Sequence, residues 1–164
     1  MRFRTEQRFE AELAAVMAQF CDPGLYPTLV GLPKISAPVV LDHSTDGSHV
    51  HLRLHQRFTG ELPAAALAVV DPAKLSWVEE IHFDLSRAAA TTRLMPDHYA
   101  DRLTCSGRYT FVASAAGHTV RRLEGDLKVR VPLVGGKVEG ALVSGLREHA
   151  ADEQPLIAAR LATT

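Results

Sequence analysis

The sequence lacks the features that mark secreted, membrane-spanning and zinc-stapled proteins. Its 164 residues include no asparagine, only two cysteines and no long apolar run. N-glycosylation is therefore excluded, and Cys21 and Cys105 lie too far apart for the paired spacing of a zinc site. A membrane-spanning helix needs about 20 apolar residues, and the charged N-terminal segment lacks the apolar core of a signal peptide. We expect no membrane span and a cytoplasmic location.

The balance of charge and hydrophobicity is that of an ordinary globular protein. Hydrophobic residues make up 46% of the chain and charged residues 23%, and 18 Lys and Arg against 19 Asp and Glu leave a net charge of -1. Global disorder is excluded because enough apolar surface is available for burial. No overall attraction to nucleic acid is expected. The length fits one domain spanning residues 1–164.

Two periods of hydrophobicity divide the N-terminal part of the chain. In residues 2–9, RFRTEQRF, a charged residue at every even position alternates with an uncharged one at every odd position, which is typical of a half-buried strand. From residue 13 to Phe20 the apolar positions recur at helical spacing, and Asp22-Pro23-Gly24 predicts the end of that helix. A second short helical piece is predicted within residues 24–30.

Three β-hairpins are predicted in the middle of the chain from turn residues and alternation. A two-residue turn at Asp46-Gly47 gives the pairs Leu41–Leu52, Val39–Leu54 and Ile35–Phe58. A turn at Ser86-Arg87 gives Trp77–Pro96, Ile81–Thr92, Phe83–Ala90 and, on the outer face, Glu80–Arg93. A three-residue loop at residues 116–118 gives Phe111–Leu123, Cys105–Val129, Tyr109–Gly125 and, outside, Arg108–Asp126.

After Pro132 the helical period returns and predicts a long C-terminal helix. Its buried stripe is predicted to contain Val134, Val138, Leu142, Gly145 or Leu146, and His149 or Ala150. Proline costs about 3 kcal/mol in a helix interior, so Pro155 predicts a kink or break near residues 151–153. The apolar residues 62–70 predict either a short helix packed on the rim or a mobile cover over a cavity mouth.

The predicted fold is therefore α+β, with the element order β-α-α-β-β-β-β-β-β-α. Seven antiparallel strands with one apolar face and one amphipathic helix pack by curving the sheet around that helix. In this order of elements the sequence resembles the START-like helix-grip superfamily, which includes the birch-pollen allergen and polyketide cyclases and aromatases. Leu62-Pro63, Trp77 and residues 131–139, VPLVGGKVE, resemble one bacterial branch of unknown function. The resemblance implies an apolar cavity between sheet and C-terminal helix, and it supplies no catalytic motif.

Two clusters that suggest cofactor or metal chemistry have simpler explanations. Gly135-Gly136-Lys137 is followed by Val138, where a phosphate-binding loop needs Ser or Thr, so no nucleotide cofactor is expected. His49, His51 and His55 share the outer strand face, with Asp42 predicted opposite His51. A metal site there would lack a concave pocket, and we interpret the histidines as a polar strand face.

Polar residues on the inner face are the candidate ligand-binding residues, because buried polar groups cost free energy unless they are paired. They are His43, Gln56, Glu79, Thr92, Tyr109 and Arg121, with Trp77 among them. Glu79 faces Leu94, so we expect burial to raise its pKa. It either pairs with Arg121, reaches solvent at the rim, or contacts a ligand.

The leading functional hypothesis is non-catalytic binding or carriage of a hydrophobic small molecule, such as a lipid, an isoprenoid or an aromatic polyketide. The alternative is a cyclase, dehydratase or hydrolase that uses Glu79 with Tyr109 or His43 as acid and base. A third possibility is an interaction module whose cavity is filled by side chains. Cavity volume distinguishes the third hypothesis from the first two.

Overall fold

The computed structural model describes all residues from Met1 to Thr164. Its strands are β1 (Arg2–Phe9), β2 (Val39–Asp46), β3 (His49–Arg57), β4 (Ser76–Asp84), β5 (Ala89–Pro96), β6 (Leu103–Ala113) and β7 (Thr119–Val129). Its α-helices are α1 (Leu13–Cys21), α2 (Ala64–Leu67) and α3 (Gly135–Leu161), and 3₁₀ turns occupy Tyr26–Thr28, Pro72–Lys74 and Leu85–Arg87. No helix contains an apolar stretch of the length that crossing a bilayer requires.

The strands form one antiparallel sheet in the order β1-β7-β6-β5-β4-β3-β2. Consecutive strands from β2 to β7 are neighbours, and β1 joins the far edge by pairing with β7. α3 packs on β1 and β7 at that edge and also contacts α1 and α2. The predicted α+β fold, with seven antiparallel strands around a C-terminal helix, is confirmed.

The first hairpin turns one residue later than predicted. Asp46 pairs with His49, so the turn residues are Gly47 and Ser48, and Gly47 takes the positive φ of 57° that such a turn requires. A bulge at Leu41 then shifts the register, and the predicted pairing returns only at the bridge between Ile35 and Phe58. The predicted pairs of Leu41 and Val39 were wrong because a bulge, which adds one unpaired residue, leaves no clear signal in hydrophobic alternation.

The second hairpin has the predicted register throughout, with Trp77 opposite Pro96, Ile81 opposite Thr92 and Glu80 opposite Arg93. Its connection is a 3₁₀ turn and not a two-residue turn.

The third hairpin is displaced by two residues from the prediction. Ala113 pairs with Thr119, so the loop has five residues, and Tyr109 faces Leu123 instead of Gly125. The displacement is even, so every side chain keeps its predicted face. Gly125 instead lies opposite Gly107, and the ring of Phe3 covers it so closely that a Cβ there would lie 2.5 Å from Phe3 Cζ.

α3 runs unbroken for 27 residues, so of the kink or break predicted near residues 151–153 the break was wrong. Pro155 leaves the helix short of one backbone donor, yet the helix is anchored on the sheet just before this point, where Gln7 Nε2 donates to the Ala150 carbonyl at 2.6 Å. Tertiary packing thus outweighs the local penalty. The predicted buried stripe is confirmed at Val138, Leu142, Gly145 and His149, and it continues through Glu153 to Ile157.

Two clusters of buried side chains form the core. One gathers Phe9 and Phe20 with Phe83 and Phe111 near α1, and the other packs Phe58 and Trp77 against the first half of α3. Residues 62–70 contain the short helix α2, and Ala66 and Val70 belong to the second cluster. Of the two alternatives for this segment, the structure therefore has the packed helix.

Two glycines of α3 should respond oppositely to substitution by alanine. A Cβ on Gly140 would meet no atom within 4 Å, so Gly140→Ala should raise the free energy of unfolding by about 0.5–1 kcal/mol through helix propensity. A Cβ on Gly145 would lie 2.5 Å from Cε2 of the buried Phe58 ring. Gly145→Ala should therefore lower the free energy of unfolding by about 1–3 kcal/mol through overpacking. Urea denaturation of the two variants measures both changes, and stabilisation by Gly145→Ala would contradict this helix–sheet contact.

Candidate functional site: a cavity between the sheet and the C-terminal helix

A cavity lies where the two core clusters meet, between the inner face of the sheet and α3. The centre of a water-sized sphere can move within about 80 Å³ of it, inside a wider space of about 840 Å³ that includes open solvent. Fourteen of its 24 lining residues are hydrophobic. Of the residues predicted from the sequence, Gln56, Trp77, Glu79, Thr92, Tyr109 and Arg121 line it. None of residues 62–70 does, so α2 is not its cover.

Glu79 is the polar centre of the sheet side of the cavity. It projects from β4 between Trp77 and Ile81, and its Oε1 accepts hydrogen bonds from Thr92 Oγ1 at 2.6 Å and from the Tyr109 hydroxyl at 3.3 Å. Burial raises the pKa of Glu79 above its ordinary value, although these two donors and the charge of Arg121 act in the opposite direction. The pKa of Tyr109 is also raised, first by burial and then by Glu79. Both groups are thus biased toward their neutral forms.

Arg121 extends from β7 across the cavity, and its charge is neutralised from the helix. Its guanidinium lies between the rings of Phe20 and Tyr109, 4.0 and 4.1 Å from their centroids. Nη1 donates to Gln7 Oε1 at 2.6 Å and to Glu153 Oε1 at 3.2 Å. The predicted alternative in which Arg121 pairs with Glu79 is therefore wrong, because Arg121 forms its ion pair with Glu153.

Glu153 is the second buried carboxyl group of the site. Gln7 Nε2 donates to its Oε1 at 2.9 Å, and His149 Nε2 lies 3.4 Å from its Oε2. Burial alone would raise the pKa of Glu153, but the hydrogen bond from His149, the charge of Arg121 and the hydrogen bond from Gln7 together hold it below its ordinary value. The cavity thus contains one carboxyl group biased toward the acid and one biased toward the carboxylate, which is an arrangement suited to distinct roles.

A third polar contact lies on the Trp77 side of the cavity. Trp77 Nε1 donates to Gln56 Oε1 at 3.3 Å, and both side chains are buried. This bond satisfies the indole N–H, as buried tryptophan requires.

His43 is the predicted site residue that the structure separates from the others. It pairs with Leu52 near the turn end of the edge strand β2, where it is exposed and lines no part of the cavity. The prediction placed it on the correct face, but the sheet edge extends beyond the region that α3 covers. His43 is therefore removed from the candidate site.

Gln7, His149 and Glu153 belong to the site but were not predicted as site residues. Gln7 had a visible signal, since it is a polar residue at an inward position of β1. His149 had been placed on the buried stripe of the helix without a role. Glu153 was missed because the helix was expected to break at that point.

The outer-face histidines form surface contacts. The rings of His51 and His82 stack with centroids 4.3 Å apart, and His51 lies 3.9 Å from Asp42 and 3.8 Å from Glu80. His55 hydrogen-bonds Asp97 at 2.7 Å. No group of three or more His, Cys, Asp or Glu side chains has a geometry that could hold a metal ion.

The comparisons with known proteins agree with this architecture. The model of a family described as "Protein of unknown function (DUF2505)" matches residues 4–161. No curated protein matches the sequence.

Solved structures share the fold over nearly the whole chain. TTHA0849 from Thermus thermophilus has a TM-score of 0.68 at 17% identity, covering 99% of this chain and 98% of the other. The Zhui aromatase/cyclase from Streptomyces sp. R1128 has a TM-score of 0.65 at 16% identity, covering 99% of this chain and 93% of the other. A START superfamily protein from Mycobacterium smegmatis has a TM-score of 0.59 at 17% identity, covering 95% of this chain and 96% of the other. These likenesses confirm the predicted helix-grip fold.

Proposed function

Since the chain belongs to the DUF2505 family, for which no function is described, we propose from its own cavity that it binds an apolar small molecule between the sheet and α3. The observation that carries the proposal is a partly enclosed cavity with mostly apolar walls and a few converging polar groups, which is the usual form of a small-molecule site.

The walls of the cavity support an apolar ligand with a small polar part. Leu54, Ile81 and Leu123 line it together with Trp77. Arg121 and Glu153 neutralise each other, so the cavity offers no unpaired charge that would demand a highly charged ligand. The polar groups that remain are those around Glu79, the Gln56 amide beside Trp77, and the hydroxyls of Thr5 and Ser106.

Binding should be measurable with phenylnaphthylamine, an apolar dye that fluoresces when it is removed from water. Burial of about 300 Å² at ~25 cal/mol per Å² yields about 8 kcal/mol, which corresponds to micromolar affinity before ordering costs are subtracted. Trp77, the only tryptophan, lines the cavity and should transfer energy to the bound dye.

Leu146→Trp should weaken dye binding at least tenfold by filling the cavity, because Leu146 is a partly buried lining residue on α3. Ser144→Trp, at an exposed position of the same helix, is the matched control and should bind the dye as the wild type does. The dye's own emission serves as the readout for both variants, and circular dichroism checks their fold. Equal affinities for the two folded variants would contradict a ligand site in this cavity.

A second candidate function, acid–base catalysis, is favoured by one contact. The Tyr109 hydroxyl lies 3.3 Å from Glu79 Oε1, so two titratable groups meet inside the cavity at hydrogen-bond distance. One structural neighbour is an aromatase/cyclase. If the protein is an enzyme, a ligand recovered from its own host should be converted to a new product by the wild type and left unchanged by Glu79→Gln.

A further inference from the structure

The two oxygens of the Glu79 carboxyl group have different surroundings. Oε1 accepts both internal hydrogen bonds, from Thr92 and from Tyr109. Oε2 receives no hydrogen bond from the protein. It is also not sealed from solvent. Since Glu79 lines the cavity, Oε2 is a free polar position that a bound molecule can reach.

The two hydrogen bonds at Oε1 leave Oε2 free whether Glu79 is ionised or protonated. In the protonated form with the proton on Oε2, Oε1 accepts up to two hydrogen bonds and Oε2 can donate one. Thr92 and Tyr109 fill the two acceptor positions of Oε1. In that form Oε2 offers a donor to a bound molecule, whereas in the ionised form it would offer only an acceptor.

The charges around Glu79 disfavour a cationic ligand. The guanidinium of Arg121 lies 4.1 Å from the centroid of the Tyr109 ring, and the hydroxyl of that ring contacts Glu79. Glu153 on α3 pairs with this guanidinium at 3.2 Å, so the two charges largely cancel at Glu79. An ammonium group at Oε2 would therefore lose its hydration without gaining an unpaired counter-charge beside a protonated Glu79, whereas an uncharged acceptor oxygen would not.

We propose that Glu79 is the recognition group for an uncharged, mainly apolar ligand with a carbonyl-type oxygen, which accepts a hydrogen bond from Oε2. This inference rests on the proposed function of the cavity and specifies its ligand class. Ketones, esters and quinones present such an oxygen. The ligand's apolar part lies against the aliphatic and aromatic walls.

The electrostatics of the site give the proposal a pH dependence. Burial raises the pKa of Glu79, so its proton is retained to higher pH than on an exposed carboxyl group. The titratable groups that shift the pKa of Glu79 come from β6 (Tyr109), β7 (Arg121) and α3 (Glu153), and the charge of Glu79 in turn acts on Cys105 and Tyr26. Carbonyl recognition should be present below the pKa of Glu79 and lost as the pH rises through it.

The test uses prodan, an uncharged naphthyl ketone whose emission shifts when its carbonyl accepts a hydrogen bond. Glu79→Leu should weaken prodan binding about tenfold and remove the emission shift, because a buried hydrogen bond is lost. Glu79→Gln, whose amide also donates, should restore most of the affinity but remove the pH dependence. Glu80→Gln, the next residue on the outer face, is the control and should behave as the wild type.

Two further probes make the result decisive. Phenylnaphthylamine, which lacks a carbonyl, should bind the wild type, Glu79→Leu and Glu79→Gln with similar affinity. Naphthylmethylamine, a cation at neutral pH, should bind more weakly than prodan. Tighter binding of the amine, abolished by Glu79→Gln, would overturn the inference and identify Glu79 as a carboxylate site. Failure of every probe to bind would instead refute the proposed function itself.

Discussion

Aspartate in place of Leu142 is expected to unfold the protein or make it aggregate. Leu142 lies in the middle of α3 within the second core cluster and is only 4% exposed. An unpaired charge at such a position costs several kcal/mol, which is comparable with the total stability of about 5–15 kcal/mol of a typical domain. Far-ultraviolet circular dichroism and size-exclusion chromatography would show loss of the native fold.

Arg147→Asp on the same helix is the matched control for Leu142→Asp. Arg147 is exposed and takes part in no ion pair, so a charge reversal there should leave the melting temperature close to that of the wild type. Similar destabilisation by the two substitutions would mean that the buried face of α3 is wrongly assigned.

Loss of the Glu153 charge should produce the second-largest effect. The Arg121 and Glu153 side chains are only 11% and 12% exposed. Glu153→Gln would leave the guanidinium of Arg121 without its carboxylate, and breaking a buried ion pair in this way typically costs about 3–5 kcal/mol. Urea denaturation measures the loss.

A double variant separates pairing from packing at this site. Arg121→Met with Glu153→Leu removes both charges and keeps apolar volume, so it should recover much of the stability lost in Glu153→Gln. Glu6→Gln breaks a surface ion pair with Arg122 and should have a small effect, since solvent screens exposed pairs. Equal losses in Glu153→Gln and Glu6→Gln would contradict a buried pair.

The effect of Glu153→Gln should also depend on pH in a defined direction. The folded-state pKa of Glu153 is lowered, so its ionised form contributes stability above the pKa of the unfolded chain, and this contribution falls away as the pH drops through the folded-state value. The stability difference between wild type and Glu153→Gln should therefore shrink on acidification. A difference that grows at low pH would contradict the lowered pKa.

The fold could be predicted because hydrophobic alternation fixes which side chains face inward. In the third hairpin the strand register was displaced by two residues, yet Tyr109, Phe111 and Arg121 still faced the core, since an even shift preserves the face. Alternation alone gives no information about bulges or loop lengths. This is why Leu41 and the partner of Tyr109 were assigned incorrectly.

The polar part of the site was only partly predictable. Glu79, Thr92 and Tyr109 could be found as polar residues on an apolar face of neighbouring strands. Their connection to Glu153 could not, because it depends on where a helix more than 20 residues further along the chain lies on the sheet. The penalty of Pro155 also suggested a break there, and only tertiary contacts such as that of Gln7 offset it.

Methyl NMR spectra recorded during titration with prodan would test the central claim most directly. If the ligand binds between the sheet and α3, shifts should concentrate on cavity methyl groups, namely those of Leu54, Ile81, Leu123 and Leu146, and the exposed methyl groups of Val39 and Val112 should not move. Shifts concentrated on those exposed methyl groups, or none anywhere at saturating dye, would contradict the account.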